Sequence, residues 1–106
     1  MSDPTVTNVN SQYEIAVDGV RAGLAAYVDT GTQRIFHHTE IDEAFGGRGL
    51  GTKLIAAGLA DTRADGRRIV PVCSFVEAYL DKHPEYAGVV DPVTPQVQAT
   101  LEARQG

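Results

Sequence analysis

The most informative stretch of this sequence is Gly46-Gly47-Arg48-Gly49-Leu50-Gly51-Thr52-Lys53. It lies between a segment of strand character, residues 34–41, and a helical pattern that begins at Leu50. Glycines let the backbone turn tightly and approach a ligand closely. Several N–H groups can then point into one concavity at the positive end of a helix, which suits an anion such as phosphate. The alternative interpretation is a glycine-rich entry to an ordinary helix.

Two well-known phosphate loops do not match this stretch. The Walker pattern ends in Gly-Lys-Ser/Thr, whereas Gly51 is followed by Thr52 and then Lys53. The dinucleotide fingerprint G-x-G-x-x-G lacks its last glycine when it is started at Gly47 or Gly49. The strand before the loop also belongs to a predicted meander, which does not open a dinucleotide-binding unit.

The residues before the loop alternate as antiparallel strands do. We expect a short strand near residues 6–9 and a second strand from Tyr13, followed by the hairpin turn Asp18-Gly19. Every even position in residues 20–28 is apolar, which predicts a half-buried strand. Residues 34–41 are rich in β-branched and aromatic residues and predict the last strand of the meander.

The residues after the loop predict a helix, a strand and further helices. Apolar residues share one face of a helix that begins at Leu50, and Gly66 is placed to end it. Residues 67–72 are short and apolar, as in a buried strand, and residues 95–104 predict a last helix. This order predicts an α+β fold: an antiparallel strand meander followed by helix, strand and helix, with a central mixed sheet.

A second helix is expected from Ser74. Ser74 and Glu77 form the S-x-x-E pattern of a capping box. The helix should end near His83, because a proline disfavours helical backbone angles in the residue before it. We interpret residues 83–86 as a helix end fixed by proline.

The composition limits the function classes. The 106 residues fit one domain, residues 1–106, with a core at about residues 12–90 and a tail helix at about residues 95–104. A formal net charge of −5 argues against broad nucleic-acid binding. No apolar run reaches the ~20 residues that cross a bilayer, and residues 1–4 lack a signal-peptide pattern. We therefore expect a cytoplasmic protein that binds neither nucleic acid nor membrane.

The cysteine and histidine content indicates no metal. A single cysteine, Cys73, excludes an internal disulfide and a cysteine zinc site. The three histidines lack metal-ligand spacing with acidic partners.

At the glycine-rich loop the sequence resembles the GNAT superfamily of acyl-CoA-dependent N-acetyltransferases. Their phosphate loop reads Gln/Arg-x-x-Gly-x-Gly/Ala, and Gly49 and Gly51 match its two small positions. Gly46 stands where the pattern has Gln or Arg, so a side-chain contact is lost, and Arg48 is the candidate to compensate for it. Over about residues 12–90, further similarities to a compact stand-alone GNAT-like subfamily are His38-Thr39-Glu40-Ile41, Pro71-Val72-Cys73-Ser74-Phe75-Val76, Tyr79-Leu80 and His83-Pro84-Glu85-Tyr86.

The resemblance implies acetyl-CoA as cosubstrate, held by main-chain amides at its pyrophosphate. The strand ending at Ile41 would part from the strand ending at Cys73, with pantetheine in the gap. Lys53 and Arg67-Arg68 either offset phosphate charge or are solvated surface residues. The implied cofactor-binding residues are Ile41, Gly46, Gly47, Arg48, Gly49, Leu50, Gly51, Thr52, Lys53 and Cys73.

Acetyl transfer to an amine needs a base, a polarised carbonyl and a proton for the leaving thiolate. Glu40 is a candidate base, or else a surface or structural carboxylate. Cys73 precedes a helix, and it could relay an acyl group, protonate the thiolate of CoA or simply pack. Tyr79 is a candidate proton donor to that thiolate, or else a core residue.

Three readings of function remain open. The first is an N-acetyltransferase that moves an acetyl group by direct attack of an unidentified amine, either a small molecule or a protein lysine or N-terminus. The second is an acetyl-CoA-binding or CoA-binding module with little or no turnover, which the shortness of the chain favours. The third is an interaction domain without a nucleotide ligand. The sequence does not indicate the oligomeric state.

Overall fold

The computed structural model describes residues 3–105 and contains one sheet of five strands in the order β1-β2-β3-β4-β5. The strands are β1 (Thr5–Val9), β2 (Gln12–Val17), β3 (Val20–Thr30), β4 (Gln33–Ile41) and β5 (Arg68–Pro71). The helices are α1 (Leu50–Ala64), α2 (Ser74–Asp81) and α3 (Pro95–Gln105), with short 3-10 helices at Glu43–Phe45 and Pro84–Val89. The predicted α+β fold with a mixed sheet is confirmed.

The first four strands form the antiparallel meander that the sequence predicts. Asp18 and Gly19 make the β2–β3 turn with φ angles of 51° and 82°, as a two-residue hairpin requires. The fifth strand, β5, pairs parallel to β4 after the crossover through α1. The sheet is therefore antiparallel in its first part and parallel only at the β4–β5 pair.

The alternation predicted for β3 does not hold along the whole strand. Ile15 pairs with Gly23 but Ala16 pairs with Arg21, so Ala22 is an extra residue at a β-bulge. Beyond a bulge the side chains exchange faces. The odd residues Ala25 and Tyr27 are therefore buried under α1, while the even residues beyond the bulge, Leu24, Ala26 and Val28, point to the other face.

Helices cover both faces of the sheet. Helix α1 contributes Leu54, Ile55 and Leu59 to the core on one face, against β2, β3 and β4. On the other face, a smaller cluster joins Val97 and Leu101 of α3 to Ile35 and Val70 of the sheet, together with Val28 and Val72. The C-terminal helix thus docks on the domain through its own apolar residues.

The start of α2 differs from the prediction. The N-cap of α2 is Cys73, not Ser74, and it makes no side-chain cap hydrogen bond. The expected capping box is therefore wrong: Ser74 is already helical, and the Glu77 N–H donates to the Cys73 carbonyl at 3.1 Å. Helix α2 ends at Asp81, two residues before His83, and Pro84 begins a separate 3-10 helix because proline suits the first helical position.

A buried arginine organises the end of the sheet that is remote from the glycine-rich loop. The Arg34 side chain is 5% exposed and donates to both carboxylate oxygens of Asp29, at 2.8 and 3.0 Å. It also donates to the Tyr13 hydroxyl at 2.6 Å, and that hydroxyl donates to Asp61 at 2.6 Å. The guanidinium lies 4.4 Å from the centroid of the Tyr27 ring. These contacts satisfy a charge that burial would otherwise penalise.

The same network predicts a pH dependence of stability. Burial, and then the hydrogen bond to Asp61, raise the pKa of Tyr13 from 10.0 to about 12. The phenol has a higher pKa in the folded state than in the unfolded state. Its contribution to the free energy of unfolding is therefore complete below pH 10 and is lost as the pH rises through 12. We expect the free energy of unfolding to fall over this window, and to fall less steeply in Tyr13→Phe. Urea unfolding across the window measures both slopes, and identical slopes would contradict the assignment.

Candidate functional site

The glycine-rich loop presents an open main-chain surface at the start of α1. Gly47 and Gly49 have φ angles of 79° and 71°, a left-handed conformation that side chains rarely adopt, and Gly49 is the N-cap of α1. A Cβ atom built at either position meets no atom within 4 Å. Residues 46–49 are exposed. The concavity is therefore open to a ligand, and the first N–H groups of α1 have no partner within the helix.

The first turn of α1 is only partly accessible, because α2 lies against it. Leu50 and Gly51 are buried, whereas Thr52 and Lys53 are exposed. A Cβ atom at Gly51 would lie 2.6 Å from Cζ of Phe75 and 3.5 Å from Cγ1 of Ile41. The second small position of the loop pattern is thus a place where two side chains approach the helix backbone closely.

Two cationic side chains belong to the loop and the first turn of α1, and the exposed carboxylates of Asp42 and Glu43 precede them. The guanidinium of Arg48 lies 5.4 Å from the centroid of the Phe45 ring, which keeps it beside the loop. Lys53 is on the exposed side of the first turn. Both cations are suitably placed to attract an anion to the loop.

Strands β4 and β5 part beside the loop. Their pairing ends at Phe36 and Pro71, and the Cys73 N–H then donates to the Phe36 carbonyl at 2.8 Å. Ala26 pairs with His38 and Tyr27 with Phe36, so His37 is the extra residue of a bulge in β4. Residues 37–41 of β4 continue beyond the last β4–β5 pair, which leaves a gap between this strand and the start of α2.

Cys73 lies across this gap from β4. Its thiol donates to the Thr39 hydroxyl at 3.3 Å. Thr39 and Ile41 pair with Ala25 and Gly23 and therefore point to the α1 face of the sheet. The structure thus brings Cys73, Thr39 and Ile41 to the same side of the gap.

Glu40 does not share that side. It follows Thr39 in the strand and so points to the opposite face of the sheet. Its carboxylate lies 3.1 Å from Nε2 of His38, and both side chains are more than half exposed. Glu40 also lines a cavity of about 310 Å³ at the end of β4, together with Arg21, Asp42 and Glu43. A ligand could contact both Glu40 and Cys73 only through the gap itself.

Tyr79 lies farther along α2. Its ring stacks on His83 with the centroids 3.9 Å apart and an interplanar angle of 13°. Burial, and then Tyr86 and Glu85, raise the pKa of the Tyr79 phenol. A tyrosine phenol is already protonated at neutral pH, and the raised pKa makes this one a weaker proton donor.

Three residues beside the site were not identified from the sequence as part of it. Thr39 and Phe75 lie within the quoted motifs, but only the structure shows their contacts with Cys73 and Gly51. The third residue, His37, occupies the bulge where the strands part. Burial, and then His38, lower the pKa of His37. The bulge leaves no sequence signal that could have identified it.

Within residues 3–105 there is no group of three or more His, Cys, Asp or Glu side chains arranged to hold a metal ion. No helix in the described part of the chain has the length and apolar character needed to span a membrane.

Comparisons with known proteins identify the family to which this sheet, with its open loop and its gap, belongs. The sequence profile of the GCN5-related N-acetyl-transferase family matches residues 12–89. The chain therefore belongs to this family. The fold is similar to the solution NMR structure of a GCN5-like protein from Staphylococcus aureus, with a TM-score of 0.67 and 24% sequence identity over 90% of this chain and 95% of that chain. No curated protein matches the sequence.

Proposed function

We propose that this protein is an N-acetyltransferase that transfers an acetyl group from acetyl-CoA to an amine by direct attack. The observation that supports this most strongly is the open main chain of Gly47 and Gly49, which begins a helix beside the gap that leads to Cys73. Family membership supports acetyl transfer as the general activity.

In this proposal the loop binds the CoA diphosphate through its backbone. The exposed residues 47–49 offer N–H donors, whereas the Gly46 N–H already donates to the Glu43 carbonyl at 3.1 Å. The dipole of the 15-residue helix α1 adds to the attraction. Gly51 and Leu50 are too enclosed to offer more than their backbone, while Thr52, Lys53 and Arg48 supply side chains. Pantetheine would then run along β4 past Ile41 toward Cys73.

The chemistry requires one bond to form and one to break. The amine nitrogen attacks the thioester carbonyl, the C–N bond forms, and the C–S bond breaks to release CoA thiolate. Glu40 is the proposed acceptor of the amine proton, which requires the amine to approach from the face opposite α1. The thiolate would take its proton from Cys73 or Tyr79. An acyl relay through Cys73 is the alternative role for that thiol.

A second candidate function, a CoA-binding module with little turnover, is favoured by the position of Glu40. This carboxylate contacts His38 and points away from the side of Cys73 and Thr39. If no acceptor amine can use Glu40 through the gap, the protein would hold acetyl-CoA without transferring its acetyl group.

Calorimetric titration with CoA and thiol release from acetyl-CoA test the proposal together. We expect binding of CoA and a time-dependent release of thiol that requires an amine from a panel of small amines and lysine peptides. In Cys73→Ala we expect turnover to fall at least about tenfold while CoA binding changes less than about threefold. Binding without release above the uncatalysed rate would favour the binding module. Absence of binding would overturn both functions, and full turnover in Cys73→Ala would remove the thiol from the chemistry.

A further inference from the structure

The sheet face opposite α1 is open over β1, β2 and the first half of β3. Tyr13, Ile15 and Val17 of β2 are buried on the α1 side, whereas the residues that alternate with them are only half-buried. Helix α3 covers the same face farther along the sheet, where Val97 packs against Ile35. We call the exposed or half-buried part the open sheet face, and its main residues are Thr7, Gln12, Glu14, Ala16, Leu24 and Ala26.

The open sheet face leads to the gap at which the acetyl group would be transferred. Leu24 pairs with Glu40 and Ala26 pairs with His38, so these two residues of β4 continue the face toward the gap. Both of their side chains are more than half exposed. An amine that gives its proton to Glu40 must therefore arrive over this surface and not from the α1 side of the sheet.

The cavity of about 310 Å³ beside Glu40 differs from an ordinary small-molecule site. Such sites have volumes of about 300–1,000 Å³, bury most of the ligand and are lined mainly by hydrophobic and aromatic side chains. None of the residues that line this cavity is aromatic, and three of them, Glu40, Asp42 and Glu43, are carboxylates. The cavity therefore suits the charged end of a side chain whose parent molecule rests on the open sheet face.

The charge on and beside the open sheet face is mostly negative. The guanidinium of Arg21 already lies 3.7 Å from the carboxylate of Glu14. Glu40, Asp42 and Glu43 add three more carboxylates at the end of the face nearest the gap. Complementary charge steers partners to a surface and discriminates among them. A partner that matches this surface is therefore basic.

We propose that the acceptor is a lysine in a basic segment of another protein, and that this segment docks on the open sheet face. The lysine ammonium lies at the end of a flexible four-carbon stem, so it can reach into the gap while its backbone stays outside. Glu40 takes the proton from the lysine nitrogen, and the C–N bond forms and the C–S bond breaks as in the proposed function. The inference rests on that function and selects one of the amine classes that it leaves open.

Three acceptors that carry the same amine test the docking, with thiol release measured at saturating acetyl-CoA. They are an N-terminally blocked peptide with one lysine among arginines, the same peptide with glutamines in place of the arginines, and Nα-acetyl-lysine amide. We expect kcat/KM of the arginine peptide to exceed that of the other two at least about tenfold. About 0.5 M salt should reduce this advantage below about threefold, because salt screens exposed charges.

The double variant Glu14→Gln with Glu43→Gln tests whether the open sheet face and its cavity supply the attraction. It should raise the KM of the arginine peptide at least about fivefold and change kcat less than about twofold, because neither residue touches the reacting atoms. The matched control is Glu77→Gln with Glu102→Gln, which removes the same charges from exposed positions of α2 and α3. It should keep the KM of the parent protein.

Calorimetric titration with CoA verifies that both double variants are folded. Equal kcat/KM for the three acceptors, or an equal KM of the arginine peptide in the two double variants, would overturn the inference and leave the proposed function standing. Absence of thiol release with every acceptor would overturn both.

Discussion

Gly47→Asp is expected to weaken the binding of CoA at least about 50-fold. The new carboxylate would stand at the main-chain surface that we assign to the diphosphate, and like charges brought together at a binding site cost several kcal/mol. Calorimetric titration of CoA into the variant measures the effect. Aspartate is among the residues that best tolerate a left-handed backbone, so the fold should persist.

Gly31→Asp is the matched control for this substitution. Gly31 also has a positive φ, 55°, and a Cβ atom there also meets nothing within 4 Å. It lies between β3 and β4, at the end of the sheet where Arg34 is buried. Gly31→Asp should carry the same backbone strain and the same charge and still bind CoA with the affinity of the parent protein. If both variants bound CoA equally well, the loop would not be the diphosphate site.

Arg34→Ala is expected to lower the free energy of unfolding by about 3 kcal/mol. The substitution removes a buried side chain that packs on the Tyr27 ring, and Asp29 and the buried Tyr13 hydroxyl lose their hydrogen bonds at 2.6–3.0 Å. Urea unfolding measures this loss. If the slope of the unfolding free energy against urea concentration is unchanged, the difference between the variants is one of stability.

Arg68→Ala is the control for the buried arginine. Its guanidinium lies 2.7 Å from Asp91, as close as Arg34 lies to Asp29, but its side chain is 42% exposed. An exposed pair contributes about 1 kcal/mol or less. Equal losses in the two variants would show that burial of Arg34 is not what makes its contacts important.

Much of the architecture could be predicted from the sequence, because turns and helices depend on residues that are close together in the chain. The hairpin turn at Asp18 and Gly19 and the helix that begins at Leu50 follow from turn chemistry and from periodicity. The two bulges, at Ala22 and His37, could not be predicted. A bulge is set by the pairing of two strands, and neither residue has a composition that marks it.

The candidate site was predicted less completely than the fold. The loop residues were identified by their glycines, but the burial of Gly51 under Phe75 depends on how α2 packs. The bulge at His37 decides that Thr39, rather than Glu40, points to the side of Cys73. Side-chain direction near a bulge is a tertiary property. The roles of Glu40, Cys73 and Tyr79 in chemistry therefore stay predictions.

We propose that the main chain at the start of α1 binds the diphosphate of CoA. Titration of CoA into the ¹⁵N-labelled protein, followed through backbone amide resonances, tests it most directly. We predict that the largest shifts occur in residues 46–53, with a second group in residues 37–41 of β4. Shifts centred on the β3–β4 turn and α3, with the loop amides unchanged, would contradict the account.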